Sequence, residues 1–176
     1  MPAIGSRGRR GVIGKAPFTW SSPLGASVAL FLASGALWVL IGVAIPIGVR
    51  ARWGSPMIVS SRSDAALLGS ELAELEAREP AIRAVRTVTS DWLAGLLAAA
   101  GVLVMAVAWF GLRSGAWWAW WTLVLVQLLV LPFWVLSLAP YVRAGAPLAL
   151  GDLPPFMWVP AVLLVPAAIL GFLGLR

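Results

Sequence analysis

The side chains in this sequence that can do chemistry are few, and the most versatile kinds are missing. The 176 residues include no histidine and no cysteine. From this chain alone, that rules out an imidazole-based zinc site, a haem ligand, a Ser-His-Asp triad and a reactive thiolate. What remains is carboxylates, arginines and one amide inside an apolar run. Glu71 and Glu74 share a helical face, but no glycine-turned loop and no further oxygen ligands accompany them. A solvated face is therefore expected rather than a cation site. Arg113 and Ser114 sit together in a tight corner with no base beside them. Gln127 is the strongly polar member of a long apolar stretch, where an amide is expected to hydrogen-bond across helices for about 0.5–2 kcal/mol. Arg143 and Asp152 share a linker, and Asp152 is placed to cap the last helix and to pair with Arg143. No spacing among these residues matches an acid–base or nucleophilic constellation, so the chain is expected to be non-enzymatic, with no cofactor and no metal.

The elements that must position these groups are set by apolar length. Apolar side chains make up 61% of the chain and charged ones 11%, against roughly 45–50% apolar in soluble domains. Four stretches carry no charge: residues 24–49, 92–112, 116–138 and 156–175. At about 1.5 Å per residue, each is long enough for a hydrocarbon core of about 30 Å. The expectation is an all-α membrane four-helix bundle, residues 24–176, with an amphipathic helical segment over residues 50–91 between helices 1 and 2. A basic flexible tail, residues 1–23, precedes it. The first run has 26 residues, well beyond a signal-peptide core of roughly 7–15.

Within this frame the details are read locally. The corner Arg113-Ser114-Gly115 predicts that the second and third helices lie antiparallel and adjacent. Trp117, Trp118, Trp120 and Trp121 follow it at headgroup level, and Phe18 and Trp20 are placed as interfacial anchors. Gly25, Ala29 and Ala33 at four-residue spacing, with Gly35 and Gly42 beyond, would let a neighbouring helix approach closely. Pro46 should kink or end the first helix, and Arg50 and Arg52 then sit in the headgroups. Pro132 and Pro140 should interrupt or close the third helix, and Pro160 and Pro166 should kink the fourth. In the connecting segment, Ser61-Arg62-Ser63-Asp64 supplies helix caps ahead of Leu68, Leu72 and Leu75, with Glu74 and Arg78 as an ion pair. Pro80 then breaks the pattern, and Ala81, Val85, Val88 and Trp92 form a second stripe running into the next span.

The net charge is +6, but its distribution says more. Six of the seven acids fall between Asp64 and Asp91. Arg7, Arg9, Arg10, Lys15, Arg113 and Arg176 fall on one side of a four-span topology, against seven arginines on the other. The tightest corner and the first helix dominate the positive-inside rule, so both termini are expected in the cytoplasm. Basic residues flanking apolar helices imply contacts with anionic lipids. No nucleic-acid-binding motif is present.

The stretch Phe110-Gly111-Leu112-Arg113-Ser114-Gly115-Ala116-Trp117-Trp118-Ala119-Trp120-Trp121 resembles the GLRxGxxWAWW-like corner of uncharacterised small bacterial four-helix integral membrane proteins. The resemblance continues loosely through the proline-bearing third helix and Asp152-Leu153-Pro154. It implies a bacterial inner membrane location and the architecture above, and brings no catalytic residues. The leading functional expectation is a structural or accessory subunit, in a homo-oligomer or a larger membrane complex. The alternative is a small-molecule or lipid-binding protein or a minimal transporter.

Overall fold

The computed structural model describes residues 18–51 and 59–176. The tail cations Arg7, Arg9, Arg10 and Lys15, and Arg52 beyond the first span, lie outside the described residues. The order is α1 (Pro23–Ala51), α2 (Ser61–Leu68), α3 (Leu72–Arg78), α4 (Pro80–Ala106), a π-helical turn (Val107–Leu112), α5 (Trp117–Arg143) and α6 (Pro155–Leu175). There are no strands among the described residues. Four helices are long and apolar enough to cross a membrane: α1, α4 with its π-turn, α5 and α6. The chain is therefore an all-α membrane protein of four spans, with α2 and α3 between the first two.

Local chemistry explains most boundaries. Pro23 opens α1, and Ser22 caps it by accepting from the Gly25 N–H at 3.0 Å. Ser60, one residue ahead of the expected caps, accepts from the Ser63 N–H at 3.2 Å and starts α2. Gly69, at φ 74°, ends it. Its left-handed backbone splits the expected Leu68, Leu72, Leu75 stripe into two helices. Neither Pro46 nor Pro140 ends its helix. Pro46 lies inside α1, which continues to Ala51, and Pro140 lies inside α5, which continues to Arg143. The stop for α5 comes from Gly145, at φ 67°, while the Ala146 N–H reaches back to the Tyr141 carbonyl. Asp152 does not cap α6, because that position belongs to Pro154; Asp152 Oδ2 instead accepts from the Ala149 N–H at 3.0 Å and ties its own loop.

The helices do not pack in the order that the corner suggests. α1 lies at the centre, packed along α4 on one side and α6 on the other, while α5 packs on α6 and on the π-turn. The second and third spans are thus antiparallel neighbours only near their corner. The π-turn accounts for this: the Arg113 and Ala116 N–H groups bond back five residues, to Ala108 and Gly111. The extra residue per turn widens the helix and re-aims the chain before α5 begins.

Small residues set the α1–α4 approach, though not the ones with the regular spacing. Ala29 and Ala33 are exposed, and Gly25 packs on Thr19 and Trp20. The crossing is made by Gly35 and Gly42 of α1. A Cβ on Gly35 would stand 2.7 Å from the Gly101 carbonyl oxygen, and one on Gly42 would stand 2.7 Å from that of Ala94. Backbone meets backbone here, which is how helices associate when lipid supplies no hydrophobic drive. The stripe of Val85, Val88 and Trp92 faces outward, and α4 buries Ala94, Leu97, Gly101 and Val104 instead.

Replacing Gly101 by leucine should separate the two spans, since even a Cβ there would lie 2.5 Å from the Gly35 carbonyl oxygen. Overpacking of this kind costs about 1–3 kcal/mol or more, and a lowered thermal midpoint in detergent is the expected reading. Gly95→Ala, on the same helix with nothing within 4 Å, should leave that midpoint unchanged or raised.

Candidate functional site

The two ends of the bundle differ in chemistry. At one end lie the start of α1, the corner and the end of α6. Here Arg113 stacks over the rings of Trp109 and Phe18, at 4.4 and 5.2 Å, and Arg176 over Phe172 at 4.2 Å. Trp20 packs against both Phe18 and Trp109. Phe18 and Trp20, expected as interfacial anchors, form with Trp109 an aromatic cradle for the corner arginine. Trp117, Trp118 and Trp121 face outward, but Trp120 does not. It is 8% exposed and donates its indole N–H to the Ala168 carbonyl at 2.9 Å, joining α5 to α6.

The opposite end holds nearly all the acids and the candidate site. α2, α3, the first turns of α4 and the last turn of α1 surround a cavity of about 780 Å³, within the roughly 300–1,000 Å³ range of small-molecule sites. Its lining among the described residues includes Arg62, Arg83 and Arg86 against Asp64, Glu71 and Glu76, with Val49 and Leu72 as apolar wall.

Two of these carboxylates are already engaged. Asp64, in the first turn of α2, is fully buried, and Oδ1 accepts from the Tyr141 phenol at 2.8 Å; Tyr141 itself is 1% exposed. Burying an acidic group is tolerable only with such donors, and the N-terminal dipole of α2 helps. Ser63 adds a second tie by donating to the Pro147 carbonyl at 2.7 Å. Together they pin α2 to the end of α5 and the loop after it. Glu76 receives Arg86 Nη1 at 2.6 Å, with both side chains largely buried, and this pair clamps α3 onto α4. Arg62, Arg83 and Glu71 make no ion pair with any described residue. The cavity therefore presents two guanidinium groups and one carboxylate to a ligand, above an apolar wall.

The expected Glu71–Glu74 face does not form. Glu71 sits at the N-cap of α3 rather than on it, and Glu74 stands 4.0 Å from Arg78 in an exposed pair. No cluster of three metal-ligating side chains exists among the described residues. Of the polar positions weighed in the sequence, Glu71 and the cap residues Arg62 and Asp64 line the cavity, whereas Arg113, the tryptophans, Gln127, Arg143 and Asp152 do not. Arg113 and the tryptophans are at the other end, and Gln127 is deep in the bundle. Arg143 is exposed at the end of α5, and no ion pair joins it to Asp152. The pairs Asp64–Tyr141 and Glu76–Arg86 were not foreseen. Tyr141 is the single tyrosine of the chain, the only local hint that its hydroxyl has a dedicated partner.

The fold and this site define an all-α, multi-pass membrane protein with a charged cavity at one end of the bundle. No known family, no curated protein and no solved structure matches the chain.

Tyr141→Phe removes the phenol donor from buried Asp64. The expected loss is about 1–3 kcal/mol, concentrated where α2 meets α5. Hydrogen exchange of the α2 amides should accelerate markedly, while the amides of α1 and α4 around Gly35 and Gly101 keep their protection.

Proposed function

We propose that this protein binds an amphiphilic ligand carrying an anionic group in the cavity formed by α2, α3 and α4, and that it does so without catalysis. The observation that carries this reading is the cavity itself, large enough for a small molecule or a lipid headgroup and lined by Arg62 and Arg83 without carboxylate partners. A guanidinium offers a fixed fork of donors matched to phosphate or carboxylate. The apolar wall and the adjoining spans favour a ligand with a hydrocarbon part, and anionic lipids are the abundant source of that chemistry. Binding is favoured over catalysis because Asp64 and Glu76, the best-buried acids, are occupied by Tyr141 and Arg86.

A second reading, a structural or accessory subunit, is favoured by α5. Leu125, Leu129, Phe133 and Leu136 are each at least half exposed, and α6 is the one spanning helix packed along α5. That surface suits a neighbouring transmembrane helix of another chain or of a second copy. We further place both termini in the cytoplasm of a bacterial cell, with the cavity on the outer face.

Native mass spectrometry of the full chain from nanodiscs containing phosphatidylglycerol and phosphatidylethanolamine tests the first reading. Selective retention of the anionic lipid is expected. Arg62→Ala with Arg83→Ala should weaken retention at least about tenfold, since each charge-assisted bond contributes about 1.5–3 kcal/mol. Unchanged retention would remove the cavity from consideration, and a stoichiometric protein partner in the same spectra would support the second reading. Orientation is checked separately with single cysteines. An impermeant reagent applied to intact cells should label Ser70→Cys and spare Ser114→Cys, and the reverse pattern would invert the topology.

A further inference from the structure

Deep in the bundle, three polar side chains stand without protein partners. Gln127 of α5 is 4% exposed, and neither amide atom has a hydrogen-bond partner; the indole nitrogen of Trp38 on α1, 3% exposed, has none either. Ser34, one turn before Trp38, is 1% exposed with an unpartnered hydroxyl. The expected interhelical bond from Gln127 is thus not made directly.

Gln127 and Trp38 line the same small cavity, with Val130, Met157 and Pro160 among its other walls. Its volume is about 10 Å³, close to the least that holds one water and too little for anything larger. With no water in the hydrocarbon core to solvate them, buried donors and acceptors must find partners within the protein or in a trapped molecule. Pro160 adds a reason for a polar occupant. It supplies no N–H to the Phe156 carbonyl one turn earlier, leaving a further acceptor in that part of α6.

We propose that this cavity is a hydration site, in which one water accepts from the Trp38 indole N–H and bonds to the Gln127 amide. α5 would then be joined to α1 at mid-membrane through a water rather than by direct contact. Its other side-chain ties to the bundle are direct: Trp120 to Ala168 near the corner, and Tyr141 to Asp64 at the far end. A charged occupant does not fit, because no ionisable side chain lines the cavity. The ligand must both accept and donate, and water does both at this size.

The test uses the full chain, ¹⁵N-labelled at tryptophan, in nanodiscs. Trp38→Phe identifies the indole resonance of position 38 among the eleven tryptophans. The expected result is a magnetisation-transfer peak between that indole proton and a long-held water. In Gln127→Leu the peak should be lost while the indole resonance persists. Gln127→Met, closer in length, serves the same purpose if the leucine variant does not fold. Absence of a water peak in the native protein, or its survival in both Gln127 variants, would overturn the proposal.

Discussion

A hydrocarbon solvent gives helices no reason to associate beyond the fit of their surfaces, and this structure depends on meeting that constraint. Apart from the carbonyls freed by prolines, each span satisfies its own backbone, so the energy that assembles four spans must come from close packing and a few hydrogen bonds. α1 supplies most of both. Gly35 and Gly42 bring its backbone against that of α4, and Ser27 donates to the Ala167 carbonyl of α6 at 2.7 Å. A hydroxyl bonded to a backbone carbonyl in lipid contributes on the order of 1 kcal/mol. The same glycines that create the crossing make it intolerant of any added side chain. The first span in sequence is thus the central one in space, and the others are arranged about it.

Outside the hydrocarbon a different balance decides what holds the connecting segment. The most visible ion pair there is Arg50 with Asp91, bidentate at 2.8 and 2.9 Å, but its side chains are 56% and 40% exposed. Such pairs contribute about 0–1 kcal/mol. The Tyr141–Asp64 bond is single, yet it is fully buried, and breaking it strips a donor from a group that water cannot reach. The loss is then about 1–3 kcal/mol. On these magnitudes the segment is held to the bundle by α2 on the end of α5, with Glu76–Arg86 as the second clamp. Arg50 and Asp91 add little to this.

How far the sequence could be read follows the range of each interaction. The four spans were legible because a missing charge over twenty or more residues has one physical explanation. Gly69 and Gly145 end helices as glycines do, but from the sequence the stop for α5 is expected at Pro140 and none at Gly69. Proline removes one N–H and clashes one turn back, a cost that a helix with tertiary partners on both sides of the break can absorb, as α5 does between Trp120 and Tyr141. The burial of Trp120 is consistent with helical period alone, since it shares a face with Leu123, Val124 and Gln127. Grouping it with the other tryptophans let local composition override that period. The cavity was not legible, because its pairs span separations that no local pattern encodes: 77 residues for Asp64 with Tyr141, and a reversal at Pro80 for Glu76 with Arg86.

The depth of the cavity follows from the length of the second span. The helix from Pro80 through Leu112 has 33 residues, about 50 Å at 1.5 Å per residue, against a hydrocarbon core of about 30 Å. Roughly a dozen residues must stand clear of the core. They are those at the Pro80 end, which carries Arg83, Arg86 and Asp91, whereas Trp92 to Leu112 holds no charge. Arg83 and Arg86 therefore lie outside the hydrocarbon core, and so does the cavity between them and α2. A water-soluble anion would reach it from the bulk phase. A lipid would reach it laterally, with its chains still in the bilayer and less translational freedom to lose on binding. For the anionic ligand proposed above, membrane anchoring is thus the less costly route to Arg62 and Arg83.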